Sequence, residues 1–279
     1  MNISKLFTRL SVVIMLVSAF LSALGLLWDG LYQDTNTLIL TGWRINDWVT
    51  LLVAVPLFAV AIYMTKKELL PGYALLIGLN MYTVYNYSFY LFGAAFNAAF
   101  IGYVLLFVLG IFGLILGAVY LFKALGRQHF PKAKTAKWIS AYMFLIVFFL
   151  SVGWIGQWFD FVLTGKVPEL MERFGTTIHL VAALDLTFVV PWFFVGAVLL
   201  WRQQISGLII AFMVHMKTVI YNIILLFGSI SQMTVGVDGE SVFILFWVFF
   251  IVASTVSLIF LGKPLNKKTT FNNMNKVHL

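Results

Sequence analysis

The chain contains no cysteine. That absence excludes a disulfide framework, a thiolate nucleophile, a CxxC redox centre and a cysteine zinc site. Charge is nearly as scarce. A soluble chain of 279 residues carries roughly 70 charged side chains at ordinary usage, and this one has 18 Lys+Arg and 10 Asp+Glu. A water-facing surface cannot be built from so few. Histidine is limited to His129, His179, His215 and His278, without HxxxH spacing, so no resident metal or other cofactor is expected. A nucleotide-binding loop, an HExxH motif and a carboxylate dyad are missing as well.

What is present is apolar bulk. Hydrophobic residues make up 62% of the chain, with 28 Phe, and the mean hydropathy is +1.00. Runs such as Phe144 to Leu150 are apolar on every side, which fits spanning helices and not the alternation of a membrane barrel. A hydrocarbon core of about 30 Å takes about 20 helical residues. Eight such segments are expected, at roughly 10–28, 48–65, 71–92, 98–122, 138–160, 179–201, 205–230 and 241–262. The fold class is therefore an all-α polytopic integral membrane protein.

Basic residues set the orientation. With the N-terminus inside, cytoplasmic segments hold 14 of the 18 Lys+Arg, including Lys66, Lys67, Arg127 and a tail at 263–279. Outer loops hold Arg44, Lys166 and Arg173, and Lys217 lies within a span. This bias places both termini in the cytoplasm. It also accounts for the net charge of +8, a basic face toward anionic membrane lipids. No nucleic-acid partner is expected, because the longest inside loop, about 123–137, is too short for a basic module. Lys5 and Arg9 ahead of an apolar run and Ser22-Ala23-Leu24-Gly25 resemble a secretory leader. The run ends in the interfacial pair Trp28-Asp29, and the reading is an uncleaved first helix. A cytoplasmic membrane of bacterial type is the expected location.

Sliding the chain by 135 residues aligns the second and third spans with the sixth and seventh without a gap. Pro56 falls on Pro191, Gly72 on Gly207, Thr83-Val84 on Thr218-Val219, and Leu91-Phe92-Gly93 on Leu226-Phe227-Gly228. Four spans per half is an even number, so both halves enter the membrane in one sense and form a parallel 4+4 repeat. The halves are 1–135 and 136–279. Pro56 and Pro191 deprive the carbonyls of Leu52 and Thr187 of their helical donors. They are hinge candidates.

Candidate site residues come from polarity inside spans. Thr83, Asn86, Tyr87 and Tyr90 fall within an arc of about 100° on one helix. The repeat places Thr218, Tyr221 and Asn222 on the matching face of another. Lipid does not solvate an amide, so these faces should look inward. Lys217 lies about 16 Å below the cytoplasmic start of its span at Ser206, and Asp185 about 9 Å beneath the outer boundary at His179. The two are similar in depth on neighbouring helices, so a Lys217–Asp185 pair is expected. The matching first-half positions, Tyr82 and Thr50, are uncharged. His215, about 200° around from Lys217, completes the set. The outer loops are read as carrying Arg44, Asp47, Asp160, Glu169 and Glu172, with Trp48, Trp154 and Trp158 as interfacial anchors.

Three function classes remain. The first is a carrier of a small molecule or ion, or a membrane receptor, with a site between the halves around Lys217 and Asp185 that takes a polar or anionic ligand. The second is a membrane-embedded enzyme acting on a lipid or isoprenoid, and the third a structural or accessory subunit. An oligomer of like or unlike chains stays open. A retinal Schiff base on Lys217 is disfavoured by eight spans, an inside N-terminus and the four-plus-four repeat.

Overall fold

The structure is a computed structural model that describes residues 2–234 and 240–266. Among these residues every regular element is helical. In chain order the long helices are α1 (Ile3–Leu27), α2 (Thr37–Lys66), α3 (Leu70–Gly93), α4 (Phe100–Ala124) and α5 (Ala133–Thr164). A short α6 (Glu169–Phe174) follows, then α7 (Leu180–Trp201), α8 (Ile205–Thr234) and α9 (Glu240–Gly262). Seven of them, α1, α2, α4, α5, α7, α8 and α9, are long and apolar enough to cross a membrane. The basic tail residues Lys267, Lys268 and Lys276, and His278, lie outside the described residues.

The segment expected as a span at 71–92 is α3, which is less apolar than those seven. It carries Asn80, Tyr82, Tyr85, Asn86, Tyr87 and Tyr90, and every residue from Leu76 to Tyr90 is buried. Such polarity is tolerated because α3 touches α2, α4 and α8 and presents almost nothing outward. Its partner at the centre is α8, buried throughout from Gly207 to Thr218. The two helices cross at Gly78, where a Cβ would collide with the Met216 side chain and the Phe212 carbonyl. Only a residue without a side chain allows that approach. Around this pair, α1 packs on α2 and α4, and α5 on α7. The outer surfaces of α4, α5 and α9 are ridged with exposed Phe, Val, Ile and Leu, as a lipid-facing surface requires.

Local geometry recurs at the interval found in the sequence. Both α2 and α7 contain a five-residue π segment, Thr50–Ala54 and Asp185–Val189. In each a backbone N–H reaches back five residues, Val55 to Thr50 and Val190 to Asp185. Each wide turn leaves the next proline, Pro56 or Pro191, in the first turn of a fresh α segment. There a missing N–H matters least. Thr187 donates to the Ala183 carbonyl at 2.6 Å, one turn before the carbonyl that Pro191 was expected to orphan. The turns after α2 and α7 also match: Glu68 and Gln203 adopt φ of 57° and 55°, and Gly72 and Gly207 donate to Leu69 and Gln204.

One expectation is corrected. Asp47 was read as an outer-loop residue, with the span starting near 48. Instead α2 starts at Thr37, where the Asn36 side chain accepts from the N–H groups of Leu38 and Ile39. Asp47 lies a further ten residues along that helix and is buried.

Candidate functional site

The π segment of α7 sets the direction of Asp185, its first residue. The carboxylate accepts from the Tyr85 hydroxyl at 2.6 Å and from Trp154 Nε1 at 3.0 Å. Tyr85 comes from α3 and Trp154 from α5, so three helices converge on one carboxylate. Lys217, on α8, places Nζ 3.5 Å from the centre of the Tyr85 ring and 5.2 Å from that of Tyr221. Tyr85 therefore serves two partners with two parts of one side chain. Its acidic O–H faces the anion, and its electron-rich ring face takes the cation.

Lys217 and Asp185, expected from their depths at hydrogen-bond or one-water distance, form no direct ion pair among the described residues. Similar depth left the azimuth open, and Tyr85 fills the gap between them. A desolvated cation–π contact contributes about 2 kcal/mol, and a hydrogen bond to a carboxylate about 1.5–3 kcal/mol. The bridged arrangement thus offsets much of the burial cost of both charges.

Beside this cluster lies a cavity of about 470 Å³ between α2, the C-terminal ends of α3 and α8, and the strap that joins α5 to α7. Its walls are largely apolar, with Ile39, Ile45, Phe92, Phe174 and Ile224 among them. Phe89 and Tyr221 line it and stack on each other at 5.4 Å. Both rings also abut Tyr85, at 5.3 and 4.8 Å, so Phe89 and Tyr221 form the cavity's floor and the charged cluster lies directly behind them. Lys217 itself does not line it. The polar groups that do include Asn46, His179 and Gln232.

The strap is held at several points. Gly165 and Gly175, with φ of 72° and 64°, end α5 and α6 in left-handed turns. Arg173 bonds Glu169 at 2.7 Å and Gln232 of α8 at 3.2 Å, and its carbonyl accepts from Asn36 of the first half. His179 caps α7 by accepting the Ala182 N–H at 3.3 Å, and its Nε2 meets Gln157 at 3.1 Å. Its ring lies edge-on to Trp154. Burial holds the imidazole below its ordinary range, which suits the neutral form this cap requires.

Of the residues singled out from sequence, Lys217, Asp185 and Tyr221 are brought together. The others are distributed. Tyr87 stacks on Tyr90 and Tyr103 toward α4. Thr83 and Asn222 bond carbonyls of their own helices, Leu79 at 3.0 Å and Thr218 at 2.7 Å. Thr218 is buried, and neither it nor Asn86, Tyr87 or Asn222 lines the cavity. Asn86 is fully buried with neither amide atom hydrogen-bonded. His215 faces away from Lys217, stacked on Tyr142 and 3.4 Å from the Ser254 hydroxyl. Pro56 and Pro191 are exposed on the outer faces of α2 and α7.

Three participants were missed by sequence reasoning. Tyr85 lies outside the arc that contains Thr83 and Asn86, and Trp154 reads as an interfacial anchor. Neither signals its partner, because both meet Asp185 from other helices. The third, Asp47, lies on a helix whose start was legible, since Asn36 is a capping residue at the head of an apolar run, whereas its burial was not. Compared with protein-family models, curated proteins and solved structures, the chain matches none.

Proposed function

We propose that this protein is a small-molecule carrier of the membrane that holds its ligand between two related halves, in the cavity beside the Tyr85–Lys217–Asp185 cluster. The observation that carries this reading is the position of that cavity. Its volume falls in the usual ligand range of about 300–1,000 Å³, its walls come from both halves, and its floor rests on the buried charges. Apolar walls with a few neutral polar groups favour a ligand with an apolar body and one uncharged polar end. The cation is covered by aromatic rings, and its part is to hold the floor.

In this reading α3 crosses the membrane together with the seven apolar helices, giving eight crossings with both termini cytoplasmic. The halves form a parallel repeat, which the recurrence of π segments, prolines and left-handed turns at an interval of 135 supports. The two π segments interrupt α2 and α7, which both contribute to the cavity wall, and π turns recur at functional sites. They are where these helices would bend as a ligand passes. The membrane is a bacterial cytoplasmic one.

Mass spectrometry of molecules co-purifying with detergent-solubilised protein tests the site. One apolar species should accompany the native chain and be lost from the cavity-filling variants Leu225→Trp and Ile39→Trp. It should be retained by the lipid-facing variant Phe112→Trp. Equal retention by all three variants would refute the site. Reporter fusions after Lys66 and Gln128 should read cytoplasmic and one after Glu169 external; any reversal breaks the topology.

A further inference from the structure

The first half holds a buried carboxylate of its own. Asp47 is 3% exposed. One of its oxygens accepts from the Tyr32 hydroxyl and the other from the Tyr90 hydroxyl at 3.0 Å. Tyr32 belongs to the loop between α1 and α2, and Tyr90 to α3. Ser22 of α1 stands beside them. Tyr90 packs in turn, ring tilted to ring, on Tyr103 of α4 and on Trp43 of α2. No lysine, arginine or histidine contacts Asp47 among the described residues. Arg44, one turn away, is engaged by Asp29 at the surface at 2.8 Å. Asp34 of the outer loop is occupied by Trp43 Nε1 and the Ala95 N–H.

A buried carboxylate without a cation is costly, and the usual remedy is to neutralise it. Only a proton or a metal ion could do so here, and space decides between them. A Cβ on Gly25 would collide with both the Asp47 carboxylate and the Tyr32 hydroxyl, so α1 is packed hard against the group. A metal ion needs a shell of about six oxygen ligands, whereas a proton needs no added volume. Access is also present. A second cavity, of about 120 Å³, opens between the end of α3 and the start of α4 and is lined by Tyr90, Asn97 and Tyr103. Tyr90 thus joins that cavity to Asp47 by one hydroxyl.

We propose that Asp47 is a reversible proton-binding site, reached through the Tyr90–Tyr103 cavity. It is distinct from the ligand cavity and does not depend on the carrier reading. Its structural consequence follows from α2. Trp43 packs on Tyr90 and lines the ligand cavity, and Asn46, next to Asp47, lines it as well. Loading the proton changes the bonds that hold this wall.

Infrared difference spectroscopy of the solubilised full chain, titrated across about pH 5 to 9, tests the site. The native protein should gain the carbonyl band of a buried carboxylic acid as pH falls. Asp47→Asn should remove that band, and Asp160→Asn, at an exposed carboxylate, should leave it. Tyr90→Phe keeps the ring and loses one donor to the charged form. Its band should persist about 1–2 pH units higher, which keeps the test open even where Asp47→Asn does not fold. A band that survives Asp47→Asn, a titration unmoved by Tyr90→Phe, or the absence of any such band overturns the proposal. So does a titration displaced by sodium at constant pH, which would mark a metal-ion site.

Discussion

Thr50 of α2 and Tyr82 of α3 touch directly, hydroxyl to hydroxyl at 2.7 Å. The residues 135 positions further along, Asp185 and Lys217, are bridged by Tyr85. The neutral pair satisfies itself with one short bond between α2 and α3. The charged pair cannot, because a carboxylate has two oxygens to satisfy and an ammonium three protons. It therefore recruits Trp154 from α5 and Tyr85 from α3. Charges in place of hydroxyls at an interval of 135 residues turn a contact between two helices into a joint of four, α3, α5, α7 and α8.

That contrast is open to direct attack, and the largest effect should come from its charges. Lys217→Met or Asp185→Asn alone leaves a buried charge without its counterpart and should lower stability by about 3–5 kcal/mol. Thr50→Val should cost only about 1 kcal/mol. The double variant Lys217→Met/Asp185→Asn should regain much of the single-variant loss. Thermal unfolding in one detergent checks all four, and equal losses at the charged and neutral positions would erase the distinction.

Next in size is the bridge itself. Tyr85→Phe removes the bond to Asp185 while keeping the ring under Lys217, an expected loss of about 1.5–3 kcal/mol. Tyr85→Leu should lose up to about 2 kcal/mol more, because the cation–π contact goes with the ring. If the two variants unfold alike, the ring contributes nothing to holding Lys217.

A smaller effect is expected at the strap between α5 and α7. Burial depresses the His179 imidazole below its unfolded value of about 6.5, so the folded state resists protonation. Stability should be unaffected above that pH and decline as pH falls from there through the folded value, where the unfolded chain binds the proton first. His179→Asn, which keeps a capping side chain, should flatten that decline in a pH series of unfolding temperatures. The smallest effect should be shared. Glu68→Gly and Gln203→Gly each relieve a left-handed non-glycine residue, and each should stabilise by less than about 1 kcal/mol. A benefit at one position alone would show that these turns, alike in backbone, bear different loads.

Much of the architecture was legible because lipid imposes a one-dimensional rule. The end of α7, the start of α8 and the extent of α3 fall within a residue or two of their expected positions, since helix length and apolarity are set by bilayer thickness. The start of α2 was misplaced by eleven residues (Thr37 against 48). Asn46, Asp47 and Trp48 interrupt the apolar run, and a buried polar residue cannot be told from a loop residue without knowing its neighbours. The site was half legible. Lys217 and Asp185 stand out as charges in apolar runs, whereas Asn86, Tyr87 and Asn222 share a helix pattern without sharing a neighbour.

The sequence by itself determined that this chain belongs in a membrane, where its long helices run, and the recurrence of prolines and glycines at an interval of 135. Each depends on composition and on spacing along the chain. Only the tertiary structure decided that Tyr85 stands between Lys217 and Asp185, that Trp154 closes the carboxylate and that Asp47 is inside. A helix fixes depth at 1.5 Å per residue. Which neighbour a side chain meets depends on the rotation of that helix against others, and a π turn or a glycine crossing such as Gly78 resets it.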